Sequence, residues 1–340
     1  MNSELNQKNK QLVWDFWQQL DQAITSNYQS ITKSFFTPDV QWFGFDPINN
    51  LSGSYAFTEF FWKPLKVSFP DLERETHIFM GGISNGQKDG DISKDGHYWV
   101  SGTGYFNATF TNDYLGIPAN GQKVKIRWGD FSKVENEKIT AIYFQLDLID
   151  LMQQVGIFVL PPSKGKDNIY PPPATKDGLL LAAQDNAISA YSLEHIWQFI
   201  YNGLNAFDES NLKSMGMADY FHPNVKWYGP GGIGAYLSFK EFEDFHQQPW
   251  LIAYPNREVQ DLDALIAEGN YSGGPGWAGV IATHTGPYMN VEATGNTIKF
   301  NGLDWWKRDG EQYIENWVFV DMIHLFRQFG VDLMERMKLG

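Results

Sequence analysis

The sequence predicts an α+β protein built from two tandem copies of one unit, each with helices on one face of a strongly curved, mostly antiparallel sheet. The segment FFTPDVQWFG at residues 35–44 recurs as YFHPNVKWYG at residues 220–229, which sets a first register between the copies. The stretch from Thr109 to Gly156 recurs without a gap at 283–330, which sets a second register. Both copies run in the order helix, short strand, helix and then several strands, which is the order of an α+β unit.

The two registers differ in their offset along the chain, and this difference defines the domain limits. The offset is larger before residues 84–96 than after them, so this polar, glycine-rich stretch reads as a loop insertion in the first copy. Five prolines within residues 157–178 can continue neither a helix nor a central strand. We therefore expect a first domain at 1–156, a Pro-rich linker at 157–184 and a second domain at 185–340.

The elements follow the same order in each copy. Apolar residues at spacings of three and four predict an opening helix near residue 12 and its counterpart near residue 193. The repeated Pro-x-Val-x-Trp segment predicts a short strand, and a further helix is expected at 57–66 and at 239–248. Asp147 and Asp321 each precede a final helical pattern, so we assign them mainly to N-capping.

Composition excludes several classes of function. The 340 residues carry a formal net charge of −14, which disfavours nucleic acid as a partner. No apolar run is long enough to cross a bilayer, and no leader pattern opens the chain, so we expect a cytoplasmic protein without a membrane partner. The absence of cysteine excludes disulfides and thiolate metal sites, and no histidine pair has metal-ligand spacing on a helix, so no metal site is expected.

The second copy carries a series of motifs that resembles one known family. Within residues 283–330, THTGPYMNVEATGNTIKF and DWWKRDGEQYIENWVFVDMIHLFRQFG resemble the SnoaL-like polyketide cyclases, whose pattern has a Thr-His-x-Gly strand, a Thr-Gly turn, an acidic-Gly hairpin, a Glu-x-Trp strand and a closing Gln-x-Gly. In the first copy the likeness rests on QVG, FTPDVQW and the hairpin. The resemblance implies two tandem cone-shaped domains of the kind shared with ketosteroid isomerase and nuclear transport factor two, each enclosing an apolar cavity.

The resemblance also implies acid/base catalysis of an intramolecular aldol ring closure without a cofactor. An aspartate on the last strand would remove a proton from carbon, and a histidine on the preceding strand would assist. This sequence departs from that pattern, because the aspartate position is Val318, with Phe144 as its counterpart in the first copy. The histidine position is Asp304, with Asp130 as its counterpart. A carboxylate is therefore present one strand away from the family's position.

Strand alternation predicts where this carboxylate points. With a three-residue loop at 308–310, Asp304, Trp306, Asn316 and Val318 share one face of the hairpin. A two-residue loop would disrupt this set. On the resemblance, the Asp304 face lines the cavity, and loss of hydration there would raise the pKa of Asp304 towards the range of a general base. The alternative is a structural carboxylate bonded to the backbone or lying at the sheet rim.

The copies differ in their histidines, and this difference favours the second copy as the active one. His222, His246 and His284 correspond to Thr37, Phe61 and Phe110. We name Asp304, His284 and His246 as candidate catalytic residues. The candidate ligand-binding residues are Trp227, Tyr228, Trp306, Asn316 and Val318.

Two functions of different classes remain. One is cyclase, isomerase or hydratase chemistry on a small, mostly apolar carbonyl compound in the second-copy cavity. The other is a non-catalytic ligand-binding or scaffold protein with a degenerate active site, in which the duplication replaces a homodimer by an intramolecular domain pair. Trp305, Trp317 and Phe319 are too apolar for water and should meet the first sheet, the linker or another chain, which leaves a homo-oligomer open.

Overall fold

The computed structural model describes residues 1–88, 92–209 and 211–339. The first copy contains five helices and six strands among these residues. In chain order they are α1 (Ser3–Gln22), α2 (Tyr28–Phe35), β1 (Phe36–Phe43), β2 (Leu51–Ser52), α3 (Gly53–Ala56), α4 (Lys63–Ser68), β3 (Glu73–Ile83), β4 (Tyr98–Thr109), β5 (Lys123–Glu135), β6 (Lys138–Leu146) and α5 (Leu148–Gln154). A π-helical turn, Phe57–Trp62, joins α3 to α4.

The second copy repeats this order among its described residues. Its elements are α6 (Asn186–Gln198), α7 (Met217–Tyr220), β7 (Phe221–Tyr228), β8 (Ala235–Tyr236), α8 (Phe239–Phe242), α9 (Gln248–Ala253), β9 (Glu258–Val259), β10 (Ile266–Glu268), β11 (Tyr271–Thr283), β12 (Thr297–Asp309), β13 (Gln312–Val320), α10 (Met322–Gln328) and α11 (Leu333–Leu339). A π-helical turn, Glu243–Gln247, joins α8 to α9.

Each copy forms one open, mostly antiparallel sheet. The first sheet has the order β2-β1-β6-β5-β4-β3, and the second has β10-β11-β12-β13-β7-β8 with β9 also paired to β11. Only the pairs β1–β6 and β7–β13 are parallel among these ladders. The predicted α+β class and the tandem duplication are thus seen in matching elements and matching strand orders.

The copies differ at one strand. In the first register, the continuous β3 corresponds to the two short strands β9 and β10, which the segment 260–265 separates. The loop insertion of the first copy lies against this break, where Asn85 N donates to Leu265 O at 2.9 Å and Leu262 N donates to Gly86 O at 2.8 Å. Part of the predicted insertion, residues 89–91, lies outside the described residues.

The helices bury one stripe against the inner face of the sheet. On α1, Val13, Phe16, Trp17 and Leu20 are almost fully buried, at the three- and four-residue spacing that the sequence predicts. These four side chains belong to the main apolar core, to which each copy contributes residues from its own helices and sheet. Within the described residues, none of the helices has both the length and the apolar character needed to span a bilayer.

The outer faces of the two sheets contribute to a second apolar group, which we call the shared cluster. Trp305 stacks on Phe131 with ring centroids 5.0 Å apart, and its Nε1 donates to Ser101 Oγ at 2.9 Å. Trp317 Nε1 instead donates to Pro171 O, and Phe319 packs edge-on against Tyr170. The first sheet and the linker therefore both cover apolar residues that the sequence places on this face.

Asp147 and Asp321 cap their helices as predicted, and each also bonds the other copy. Asp321 Oδ1 accepts from His324 N, and Asp321 Oδ2 accepts from Asp46 N at 2.8 Å. Asp147 caps α5 in the same way and accepts from Gly231 N at 2.8 Å. Since Gly231 is the counterpart of Asp46, these hydrogen bonds are reciprocal, as in an isologous interface.

Candidate functional site

A cavity of about 230 Å³ lies inside the second copy, between its helices and the inner face of its sheet. Helix and turn residues Phe199, Phe242 and Trp250 line it, together with Phe300 and Val318 on β12 and β13. Few polar side chains interrupt this apolar wall. They are His246, Gln247, Arg257, Asn301, Asp304 and Asn316.

The first copy has the same interior positions, but larger rings occupy them. Gly302 and Val318 of the cavity wall correspond to Trp128 and Phe144. Phe144 contacts Phe61, the counterpart of His246, with centroids 4.9 Å apart. The cavity in the second copy thus follows from smaller side chains on an equivalent framework.

Asp304 lies on β12 with its carboxyl group at the cavity wall. Its hydrogen bond from Asn316 Nδ2 is long, at 3.4 Å, while the same Nδ2 donates to Trp305 O at 2.9 Å. Burial raises the pKa of Asp304 to about 7, and the Asn316 bond opposes this only in part. A carboxyl group of this kind exchanges protons readily near neutral pH.

The hairpin register places Asp304 directly opposite Val318. The loop has two residues between Asp309 and Gln312, not the expected three, and the register shifts by one residue between Lys307 and Tyr313. This β-bulge at Ile314 restores the predicted set of side chains on one face. Because opposed Cβ atoms lie about 5 Å apart, the carboxyl group is only one strand spacing from the aspartate position that the resemblance implies.

His246 is the second ionisable group at the wall, on the π-helical turn. Its ring stacks on Trp227 with centroids 4.4 Å apart and is further bounded by Phe242 and Trp250. Neither ring nitrogen has a hydrogen-bond partner within residues 1–88, 92–209 and 211–339. Burial lowers the pKa of His246 to about 3, so the imidazole is neutral at physiological pH and open to the cavity.

Six of the eight candidate residues line this cavity: Asp304, His246, Trp227, Trp306, Asn316 and Val318. Two do not. Tyr228 follows Trp227 on β7, so alternation sends it to the opposite face, where its hydroxyl donates to Glu315 Oε1 at 3.4 Å. His284 lies just beyond β11, stacked on Phe329 at 4.3 Å with Nδ1 3.1 Å from Thr294 Oγ1. We therefore leave Tyr228 and His284 out of the proposed site.

Sequence reasoning missed three polar residues of the wall, namely Gln247, Arg257 and Asn301. The counterparts of Gln247 and Arg257 in the first copy are Trp62 and Leu72. A comparison of side-chain size and polarity between the copies contains this signal, whereas a comparison of histidines alone does not. Among the described residues, no group of three or more His, Asp and Glu side chains is arranged to hold a metal ion.

The model of the SnoaL-like polyketide cyclase family matches residues 92–155 and 200–329, more than half of the chain and part of both copies. The chain belongs to the SnoaL-like polyketide cyclase family. No curated protein matches this SnoaL-like chain.

Three similar solved structures each align with less than half of the SnoaL-like chain. AclR from Streptomyces galilaeus is 19% identical over 42% of this chain and 82% of its own, with a TM-score of 0.35. IdmH from Streptomyces antibioticus is 18% identical over 41% and 99%, with a TM-score of 0.31. A SnoaL-like polyketide cyclase from Agrobacterium tumefaciens is 18% identical over 42% and 96%, with a TM-score of 0.30.

Proposed function

We propose that the second-copy cavity binds a small, mostly apolar carbonyl compound and that Asp304 acts there as a general base without a cofactor. The observation that carries this proposal is the position of the Asp304 carboxyl group, which lies at an apolar wall directly opposite Val318 and has a pKa raised to about 7. A base is most effective when its pKa is close to the working pH.

In the proposed reaction, an Asp304 carboxylate oxygen takes a proton from a carbon next to the carbonyl. The electron pair of the broken C–H bond moves into the new C=C bond, and the carbonyl oxygen becomes an enolate oxygen. The enolate then attacks a second carbonyl of the same molecule, which closes a ring. If the compound also has a C=C bond conjugated with the enolate, the enolate can instead regain a proton at the far carbon of that bond, which moves the double bond and isomerises the compound. Protonated Asp304 returns the proton in either case.

His246 is proposed to stabilise the enolate oxygen. A neutral imidazole with one N–H and no hydrogen-bond partner among the described residues can donate a hydrogen bond to an oxygen atom in the cavity. A preorganised donor in a site with little water stabilises developing negative charge more strongly than it would in bulk water. Asn316 has the supporting role of holding Asp304 through the 3.4 Å contact.

A second candidate function is ligand binding without catalysis. It is favoured by one observation, since the position of the family's aspartate is Val318, whose side chain cannot carry a proton. This second function uses the same cavity and the same class of ligand as the catalytic one, so only a measurement of turnover distinguishes the two. In both we propose that the copies, taken as domains 1–156 and 185–340 joined by the linker 157–184, act as one permanent pair through the shared cluster.

Deuterium exchange into 2-tetralone, a bicyclic ketone with acidified C–H bonds, tests the catalytic proposal. In heavy water, the wild-type protein should accelerate the exchange, and Asp304→Asn should reduce the acceleration at least about a hundredfold, because general-base catalysis contributes on the order of 10²- to 10⁴-fold. The wild-type rate should rise with pH and level off above about 7.

The matched control is Asp130→Asn, which changes the counterpart of Asp304 in the filled interior of the first copy. Asp130 is buried, accepts from Ser132 Oγ at 2.6 Å and also has a pKa raised to about 7 by burial. The Asp130→Asn variant should accelerate deuterium exchange into 2-tetralone as much as the wild type does. Equal acceleration by wild type and Asp304→Asn would remove Asp304 from the mechanism and leave the ligand-binding function.

A further inference from the structure

Arg257 contributes a guanidinium group to the wall of the second-copy cavity. It lies just before β9, where Nη2 donates to Leu204 O at 2.9 Å and contacts Met215 Sδ at 2.7 Å. No carboxylate among the described residues forms an ion pair with it, and Nε and Nη1 have no hydrogen-bond partner there. Since a guanidinium has five N–H donors, three of them are left for another molecule.

Two other arginines with buried side chains have the carboxylate partner that Arg257 lacks among the described residues. Arg74 Nε and Nη2 donate to the two oxygens of Asp21 at 2.7 and 3.0 Å. Arg127 Nη2 donates to Asp150 at 2.9 Å. Burial of a charge without such a partner is costly. Burial lowers the pKa of Arg257 to about 10, and no carboxylate among the described residues opposes this shift.

The arginine occurs where the cavity occurs. Its counterpart in the first copy is Leu72, which is buried in the main apolar core. A purely structural role at this turn is thus met by an apolar side chain in the same framework. At this position only the copy with an open interior has a cation. The guanidinium inside the filled copy, Arg74, lies 4.6 Å from the Trp128 ring and is paired with Asp21.

We propose that Arg257 binds a carboxylate of the ligand, so that the second-copy cavity takes a compound with an apolar body, a carbonyl and a carboxylate. This inference rests on the proposed ligand-binding role of the cavity and adds the charge of the ligand. The planar guanidinium matches a carboxylate in two parallel hydrogen bonds. Among the described lining residues, no lysine or second arginine competes with Arg257 for the anion.

Binding of two probes that share one ring system tests the proposal. We would titrate wild-type protein with 2-naphthoate and with 2-acetonaphthone, its neutral methyl ketone analogue, by calorimetry at about pH 6. At that pH Asp304 is mostly protonated, since its pKa is about 7, so the anionic probe meets no ionised base. The carboxylate should bind about tenfold or more tightly than the ketone, the range expected for a charge-assisted hydrogen bond.

Arg257→Leu, which copies the first-copy residue, should abolish this preference by weakening 2-naphthoate binding alone. The control Lys123→Met removes one positive charge from an exposed position of the first sheet and should change neither affinity. If the guanidinium had only a structural role, Arg257→Leu would lower the melting temperature of the protein and leave the preference for 2-naphthoate intact.

The outcomes separate this inference from the proposed function. Equal affinity of the two probes for the wild type, which requires no variant, overturns the carboxylate inference and leaves the cavity as a ligand site. Preference retained by folded Arg257→Leu overturns it as well. Failure of both probes to bind overturns the inference together with the ligand-binding role. Tight 2-naphthoate binding without 2-tetralone exchange supports the inference and contradicts only the catalytic proposal.

Discussion

Asp304 and His246 face one cavity, and burial moves their pKa values in opposite directions, up to about 7 for the carboxyl group and down to about 3 for the imidazole. Desolvation disfavours the charged form of each, so both are mostly neutral at about pH 6. The carboxyl group becomes ionised just above neutral pH, in the range where a base is useful. Ionisation of Asp304 destabilises the fold, because the carboxylate is poorly hydrated and has only one long hydrogen bond among the described residues.

Asp304→Asn should therefore stabilise the fold at alkaline pH. The folded-state pKa lies above the unfolded value of 3.8, so the folded state retains a proton between about pH 4 and 7 that the unfolded state releases. The associated stability is lost as pH rises through the folded pKa. The variant should raise the free energy of unfolding by on the order of 1–4 kcal/mol at about pH 8, and by little at about pH 4. Urea denaturation at the two pH values measures this, and a variant less stable than wild type at about pH 8 would contradict it.

At the scale of elements, the β12–β13 hairpin shows how far strand patterns determine a site. Alternation predicted that Asp304, Trp306, Asn316 and Val318 share a face, and the structure has them so. The loop, however, has two residues, and the bulge at Ile314 compensates for the missing one. Alternation within a strand is a local property, whereas a bulge depends on how two strands are paired. The sequence pattern therefore predicted the shared face but not the bulge.

Strand geometry also explains why two of the predicted site residues, Tyr228 and His284, do not line the cavity. Trp227 and Tyr228 are neighbours on one strand and cannot both face the cavity. The Thr-His-x-Gly motif predicts a role for His284, but β11 ends at Thr283 and the His284 ring stacks on Phe329 instead. The resemblance placed His284 on a strand, whereas the strand ends one residue before it, and the motif did not determine which side chains reach the interior.

Val318→Phe should close the cavity, because it places the ring of the first copy, Phe144, at the equivalent position of the second. Binding of 2-acetonaphthone should fall at least about tenfold, since the added ring occupies the space that the probe needs. The control Val320→Ile changes a neighbouring lining residue by one methylene group and should retain most of the binding. Undiminished binding by folded Val318→Phe would show that the probe binds elsewhere.

The reciprocal caps make a second element-scale prediction. Asp147 caps α5, bonds Gly231 N of the other copy and lies 3.4 Å from Arg127. Asp185 caps α6 through Ala187 N and Ile188 N. Asp185→Ala should cost about 1 kcal/mol in the free energy of unfolding, as cap removal usually does. Asp147→Ala should cost roughly 2–4 kcal/mol, because it also leaves buried donors without a partner. Equal costs in urea denaturation would show that the contact between copies contributes nothing.

For the whole molecule, the duplication made the fold predictable, since two copies of one pattern fix the order of elements twice. The sequence pattern placed the candidate cavity in the second copy, but it did not predict that rings fill the interior of the first copy, although the sequence contains the substitutions. Whether Gly302 and Val318 leave a void depends on packing of distant segments, which cannot be read from a single alignment of the copies. The same holds for Arg257, because the lack of a carboxylate partner among the described residues becomes evident only when its neighbours are known.

The shared cluster predicts that the two copies unfold together. Trp305 is fully buried between them, with the Phe131 stack and the Ser101 hydrogen bond. Trp305→Ala should lower the free energy of unfolding by about 3–5 kcal/mol, as loss of a large buried ring does. Phe158→Ala, at a residue 72% exposed, should change it by less than about 0.5 kcal/mol. Wild-type stability in Trp305→Ala would indicate that the copies are independent.

The central claim, a poorly hydrated carboxyl group facing a ligand-binding cavity, is tested most directly by carbon NMR of protein labelled at the aspartate side-chain carboxyl carbon. The Asp304 resonance, assigned by its absence in Asp304→Asn, should titrate with a midpoint near 7 and should shift when 2-tetralone is added. A midpoint near the ordinary value of 3.8, together with no response to the ketone, would contradict the account.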